Sequence, residues 1–346
     1  MINAAIAGAT GYTGIQLINL LKHHPHVRIN ALTANSNAGE GFSKVFPSHL
    51  KIEDRICDAT ELERLSKTND VIFLALPHGI ASKTVTEEVL SNTKIIDLGA
   101  DFRLKNISEY EEWYKTEHFG KSLLPQAVYG LSEIYREQVK TARLVANPGC
   151  YTTASILSLY PAVKYGLIDP TSIIIDAKSG VSGAGRGLSL GNHFCEANES
   201  IKAYGVTTHR HTPEIEQELS FANGSPIHVT FTPHLIPMQR GILSVCYASL
   251  KKSVSKKEIE EAYVDMYGKE PFIRIRRSDD LPQTNYVKGS NYFDVTPIVD
   301  KRTDRLIAIG ALDNLMKGAA SQAVQNMNIM FGYKESMGID DCPLYL

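Results

Sequence analysis

The sequence predicts an α/β chain of two domains, a doubly wound parallel-sheet domain followed by an α+β domain with a mixed or antiparallel sheet. Three observations predict it. The 346 residues suit two domains. In the N-terminal half, continuous apolar runs alternate with helical stretches, the signature of a parallel sheet buried on both faces. After about residue 150, strand-like runs follow one another with few helices between them, as in an α+β domain.

The elements follow in order. Residues 2–7 form a short apolar run that ends in Gly8-Ala9-Thr10-Gly11-Tyr12-Thr13-Gly14. Ile15, Leu17, Ile18, Leu20 and Leu21 then keep an apolar helical face until Pro25. Strands are expected at 27–33, at 71–76 before Pro77 and Gly79, at 94–98 before Gly99, and at 144–146. Later strands are expected at 172–178, 228–234, 242–250, 272–276, 292–299 and 306–312. A helix over 255–267 opens on the capping box Ser255-x-x-Glu258 and closes at Gly268. A final helix over 315–331 carries Met316, Ala320, Ala323, Val324, Met327 and Met330 on one side and closes at Gly332.

Composition excludes several classes. The hydrophobic share of 43% supports a sizeable core, so wholesale disorder is excluded. A net charge of −2 without a basic stripe argues against nucleic acid as a partner. No apolar run approaches the ~20 residues of a membrane span, and the N-terminus has no basic leader, so a cytoplasmic location is expected. The five cysteines are scattered without a CxxC pair, which fits neither a disulfide framework nor a metal site.

Gly8-x-x-Gly11-x-x-Gly14 sits where a strand feeds a helix. Glycines there permit the tight turn and let backbone N–H groups approach a pyrophosphate resting on the helix N-terminus. The turn therefore reads as Rossmann-type dinucleotide binding, through Gly8, Thr10, Gly11, Tyr12, Thr13 and Gly14. The second strand ends Thr33-Ala34-Asn35-Ser36-Asn37, without the Asp or Glu that holds a ribose 2′-hydroxyl. Small polar residues such as Ser36 suit a 2′-phosphate, so NADP is the expected cofactor.

Asn147-Pro148-Gly149 forces a turn after a strand, and a helical pattern begins at Thr152, so Cys150 falls at a helix N-terminus. The dipole and open N–H groups there favour a thiolate, the form that attacks an acyl carbon. Cys57, Cys195, Cys246 and Cys342 lack that setting and read as ordinary thiols. His211 precedes a second helix start, with Thr212 expected at the N-cap, Pro213 at N1 and Glu214 and Glu216 complementing the dipole. The positive helix end keeps that imidazole neutral and available as a base. His209, two residues earlier in an extended chain, points the same way and is the alternative. Residues 176–187, which include Ser179, Ser182, Gly183 and Arg186, mix glycines, hydroxyls and cations into an anion-holding loop. Arg240 offers a second clamp.

These motifs resemble one family. The glycine turn, Leu76-Pro77-His78-Gly79, Asp97-Leu98-Gly99-Ala100-Asp101-Phe102-Arg103-Leu104 and Tyr129-Gly130-Leu131-Ser132-Glu133 carry the first part of the likeness. Asn147-Pro148-Gly149-Cys150-Tyr151, residues 179–186, His209-Arg210-His211-Thr212-Pro213-Glu214 and Asp313-Asn314-Leu315-x-Lys317-Gly318-Ala319 carry the rest. The chain resembles, nearly end to end, the N-acetyl-γ-glutamyl-phosphate reductases of the semialdehyde dehydrogenase superfamily.

The resemblance implies NADPH-dependent reduction of a small-molecule acyl phosphate to a semialdehyde in arginine biosynthesis, with Cys150 as nucleophile and His211 as acid/base. It implies a terminal helix that returns to the nucleotide domain, hence an NADP-binding domain of 1–149 with 314–346. Residues 150–313 would then form the catalytic and oligomerisation domain of a homodimer or homotetramer. Further cofactor contacts are expected from Ser36, Ser182, Gly183 and Asn314, and substrate contacts from Ser179, Arg186, His209 and Arg240. One departure is Asn35-Ser36-Asn37-Ala38-Gly39, where relatives carry an Arg or a Ser-rich run. A sister activity on a carrier-bound amino-adipyl phosphate differs only in the pocket. The rival from another class, a non-catalytic NADP-binding redox sensor, keeps the glycine turn but needs no activated cysteine.

Overall fold

The computed structural model describes residues 1–251 and 254–345. The chain divides into two compact units, Met1–Pro148 with Ala319–Asp340, and Gly149–Gly318 with the tail from Asp341.

The first unit is built on six strands: β1 (Ile2–Ala7), β2 (Val27–Thr33), β3 (Val71–Leu74), β4 (Lys94–Asp97), β5 (Ala127–Tyr129) and β6 (Leu144–Ala146). Their order is β2-β1-β3-β4-β6-β5, and each neighbouring pair is parallel. Sheet order reverses between β1 and β3, so the turns leaving those strands splay apart at the place where α/β sheets bind ligands. The expected apolar runs are buried throughout: Val71 to Leu74 are 0% exposed. Ile72, Leu74, Ile95, Leu62, Leu65 and Phe102 share one core cluster.

The expected terminal helix differs in form. It starts as a π-turn over Met316–Ala320 and continues as an α-helix over Ser321–Met330. All ten residues of that α-helix are buried, polar ones included, rather than one apolar side alone. A polar network takes up most of these buried groups, although Gln322 Oε1 has no partner among the described residues. Asn326 Nδ2 donates to the Gly130 carbonyl (2.8 Å) and to Asn147 Oδ1 (3.1 Å), and the Ser132 hydroxyl donates to Asn326 Oδ1 (2.9 Å). Gln322 donates to the Gly130 carbonyl (2.9 Å), and Asn328 Oδ1 meets His24 Nε2 at 2.9 Å.

The second unit holds seven strands: β7 (Ile174–Gly180), β8 (Lys202–Ala203), β9 (Thr230–Ile236), β10 (Ile242–Ser249), β11 (Ile273–Ile275), β12 (Phe293–Asp300) and β13 (Arg305–Leu312). The order is β11-β12-β13-β10-β7-β9-β8. The sheet is mixed, because β7 and β9 are parallel, as are β11 and β12, while the other pairs are antiparallel. Helix Cys150–Lys164 packs on β10 and β13, flanked by helices Thr212–Asn223 and Lys256–Tyr267. The latter has the capping box expected at Ser255 and Glu258. Burial alternates along β10, so Ile242, Ser244, Cys246 and Ala248 face the helices. Leu243, Val245 and Tyr247 lie half-buried on the other face with Ile307 and Ile309 of β13.

Candidate active site

In the first unit, the three glycines of the turn do different work. Gly8 has φ +87°, and a Cβ there would stand 2.1 Å from the Ala75 carbonyl oxygen, just past β3. A Cβ on Gly14 would stand 2.4 Å from the Gly8 carbonyl oxygen, so this glycine lets the helix pack against the turn. A Cβ on Gly11 would meet only the Gly8 carbonyl oxygen, at 3.5 Å. Gly11 is the N-cap of helix Tyr12–His23 and offers no side chain to cap it. The open side at Gly11 and an uncapped positive helix end fit a pyrophosphate. The fold thus keeps Gly8, Thr10, Gly11, Tyr12, Thr13 and Gly14 on one turn at the sheet's switch point.

Ser36 is exposed in a short helical turn after β2, its hydroxyl 3.2 Å from Asn37 Oδ1. The sequence showed no acid at the end of β2, but the fold brings one from elsewhere. Asp58 pairs alongside Thr33, and its carboxylate is 3.3 Å from Arg64. Both residues are distant in sequence, and no local signal reveals them.

Further along the same sheet, Asp97 ends β4, fully buried. Burial, reinforced by the neighbouring Asp101 carboxylate, pushes its carboxyl up to about 7. Asp101 accepts from the Gly79 and Ser82 N–H groups (2.7 and 2.9 Å) and from the Tyr110 hydroxyl (2.8 Å), which fixes the loop after β3.

In the second unit, Cys150 is the first residue of helix Cys150–Lys164, with Gly149 as N-cap. It is half-buried, whereas burial pushes the Cys246 thiol up to about 12 and raises Cys57 as well. Gly318 of the π-turn lies so close that a Cβ there would be 2.7 Å from Cys150 Cβ. Glu214, read from sequence as complementing its own helix, does more: its Oε1 accepts the Gly149 N–H at 3.0 Å and lies 2.9 Å from the Thr152 hydroxyl.

Helix Thr212–Asn223 starts one residue earlier than expected, with His211 in the cap position and Thr212 inside the helix. The chain is already turning there, since Thr212 N–H donates to the His209 carbonyl at 3.0 Å. Glu216 turns away to take the Val229 N–H at 2.8 Å. His209 and His211 have ring centroids 4.8 Å apart, and Tyr151 stands edge-on to both at 5.6 and 6.0 Å. Burial, and then the Arg210 charge, hold His209 down at about 4, so it is neutral near pH 7. Tyr204, which sequence reasoning missed, donates to the Tyr151 hydroxyl at 3.3 Å, and Tyr151 donates to the His234 carbonyl at 2.9 Å. Burial pushes Tyr204 up to about 12; its Tyr151 hydrogen bond lowers it and the charge of nearby Cys150 raises it.

Ser179, Ser182, Gly183, Arg240 and Asn314 also come together. Asn314 Nδ2 donates to Ser182 Oγ (3.0 Å), and Asn314 Oδ1 accepts the Gly241 N–H (2.7 Å). Gly183 lies against Ser179 Oγ. Arg240 donates to the fully buried Asp313 carboxylate at 3.1 Å, so the guanidinium is braced rather than free. Arg186 is on an exposed stretch. Among the described residues, no group of three or more potential ligands could hold a metal ion, and no helix is long and apolar enough to cross a membrane.

Comparison with known proteins agrees with this geometry. Residues 3–142 match the semialdehyde dehydrogenase NAD binding domain, and residues 150–314 match the semialdehyde dehydrogenase dimerisation domain. An N-acetyl-gamma-glutamyl-phosphate reductase of Lachnospira eligens is 52% identical, with 100% of both chains covered. One from Campylobacter jejuni is 51% identical over 98% of each chain. Among solved structures, aspartate semialdehyde dehydrogenase II of Vibrio cholerae shares the fold with a TM-score of 0.72 at 17% identity, over 96% of this chain and 98% of that one. The Candida albicans aspartate semialdehyde dehydrogenase solved with NADP gives 0.67 at 16%, over 96% and 99%. The chain belongs to the semialdehyde dehydrogenase family and, within it, to the N-acetyl-gamma-glutamyl-phosphate reductases, and it is an oxidoreductase with an NAD(P)-binding domain.

Proposed function

We propose that the protein reduces N-acetyl-L-glutamyl 5-phosphate to N-acetyl-L-glutamate 5-semialdehyde with NADPH, in arginine biosynthesis, through a thioester on Cys150. The observation that carries this reading is Cys150 at the first position of a helix whose N-cap is a glycine, in the same unit as the paired rings of His209 and His211.

The Cys150 thiolate attacks the acyl carbon; the C–S bond forms, the bond from that carbon to the bridging phosphate oxygen breaks, and phosphate leaves with the electron pair. NADPH, when bound, supplies a hydride to the thioester carbon. His211 carries the proton to and from the hemithioacetal oxygen as the C–S bond breaks and the aldehyde departs. Gly8, Thr10, Gly11, Tyr12, Thr13 and Gly14 hold the pyrophosphate, and Ser36 faces the 2′-phosphate. Ser182, Gly183 and Asn314 are cofactor-binding candidates in the second unit. Ser179, Arg186, His209 and the braced Arg240 are candidates for the substrate's phosphate and carboxylate. An assay in the reverse direction, with phosphate, NADP and N-acetylglutamate semialdehyde, tests the reading; turnover with an amino-adipate semialdehyde instead would overturn the substrate assignment.

A second copy of the chain is the proposed partner. The half-buried apolar face of β10 and β13 is open within the chain and lies inside the segment that matches the dimerisation-domain model. Light scattering on Val245→Lys, expected to run as a monomer where the parent chain is a dimer, tests that placement.

A further inference from the structure

Glu214 stands at the third position of helix Thr212–Asn223, three residues after the cap His211, and is 1% exposed. Its Oε1 takes the Gly149 N–H at 3.0 Å and sits 2.9 Å from the Thr152 hydroxyl. Gly149 caps the helix whose first residue is Cys150. One carboxylate is therefore covalently part of the His211 turn and hydrogen-bonded to the Cys150 turn. We propose that Glu214 is a positioning residue that fixes Cys150 against His211 and whose charge, set at the N-terminus of the Cys150 helix, restrains ionisation of the thiol. This rests on Cys150 being the nucleophile.

The physical argument concerns balance. A helix N-terminus stabilises a thiolate. A thiolate stabilised too far is a weaker nucleophile, and the best attacking thiol has a pKa near the working pH. A buried carboxylate at the cap opposes the dipole. Tyr151 on its own helix and Tyr204 after β8 both feel the Cys150 charge, and the His209 and His211 rings stand against the Tyr151 ring. Lys317 lies in the π-turn beside Gly318, fully buried, with its ammonium 5.9 Å above the Phe272 ring. The lysine, and an imidazolium where one forms, favour the thiolate. Glu214 is the anion bonded to the cap.

The test uses the full chain and three variants. Alkylation of Cys150 by iodoacetamide is followed from pH 5 to 10 by peptide mapping, alongside kcat and KM in the reverse assay. Glu214→Gln keeps an acceptor for Gly149 but removes the charge; the Cys150 alkylation midpoint should fall by about half to one pH unit, with KM nearly unchanged. Glu214→Asp keeps the charge but shortens the reach; its midpoint should match the parent while kcat falls. Glu214→Ala loses both and should lose roughly 10²-fold in kcat, the scale of a misplaced reacting group. An unmoved midpoint in Glu214→Gln, or full kcat in Glu214→Ala, overturns the proposal. If Cys150 in the parent chain alkylates no faster than exposed Cys195 and Cys342, the nucleophile reading itself has failed, which is a different result.

Discussion

Nδ1 of His209 accepts the backbone N–H of His211 at 3.2 Å. The bond fixes the His209 tautomer, because a neutral ring that accepts at Nδ1 carries its proton on Nε2. It also ties His209 to the turn that presents His211, so the pair has a division of labour that sequence spacing alone left open. His211→Asn should slow turnover by roughly 10²–10⁴-fold, the usual scale of general acid–base help. His209→Asn, which keeps an acceptor for the same N–H, should lose less. With His209 held down at about 4, a kcat/KM limb between pH 6 and 8 belongs to another group and should survive in His209→Asn. The reverse order of losses would make His209 the base.

Cys150→Ser should abolish turnover while leaving NADPH binding intact. The serine hydroxyl has no comparable ionised form near neutral pH, and the glycine turn lies in the other compact unit. Fluorescence titration of NADPH and the reverse assay check both halves of that expectation. Retention of more than a few percent of activity would remove the residue from its role.

NADPH should be preferred over NADH. The end of β2 carries small polar residues, and the carboxylate alongside Thr33, Asp58, is already paired with Arg64. Comparing kcat/KM for the two cofactors decides it. Arg64→Ala would leave Asp58 unpaired and should shift preference toward NADH, since a free carboxylate opposes a 2′-phosphate.

Asp97 predicts a pH dependence of stability. Its folded pKa, raised to about 7 by burial and then by Asp101, lies above that of the unfolded chain. Between the two values the unfolded state has released a proton that the folded state keeps, so stability falls as pH rises from about 4 to 7 and levels off above. From pH 5 to 7.5 the loss amounts to about 2 kcal/mol. Urea denaturation of Asp97→Asn should lack that part of the slope. An identical slope in both proteins would mean that Asp97 ionises normally.

How much of this was legible beforehand follows from what each signal depends on. The glycine turn and the Cys150 helix start are local: neighbouring residues fix the turn and the cap, so the sequence reads them directly. The parallel sheet was legible because runs such as residues 71–74 are apolar throughout, as burial on both faces demands. Glu214, Tyr204 and Asp313 were not read for what they do, because each acts on a partner far away in sequence, and Asp58 reaches the end of β2 only through its bridge to Thr33. The terminal helix was legible only in part. Periodicity puts the apolar residues on one side and says nothing of where the polar ones go, yet Gln322, Asn326 and Asn328 are each 0% exposed. Their partners are Gly130, Ser132, Asn147 and His24, about 180 to 300 residues earlier in the chain.

That long reach has a consequence for how the protein is made. The first unit consists of Met1–Pro148 and Ala319–Asp340, and the second is synthesised between them. While a ribosome is still translating, Gly130 and Asn147 have emerged but the side chains that satisfy them have not. The nucleotide-binding unit thus waits, incomplete, for about 170 residues of further synthesis, and at 5–20 residues per second the wait lasts roughly ten to thirty seconds. By the end of that interval all seven strands of the second sheet have been made while residues 319–340 have not, so the second sheet can close before the first unit is complete. Nascent chains halted before residue 319 should expose the first unit to protease while protecting the second.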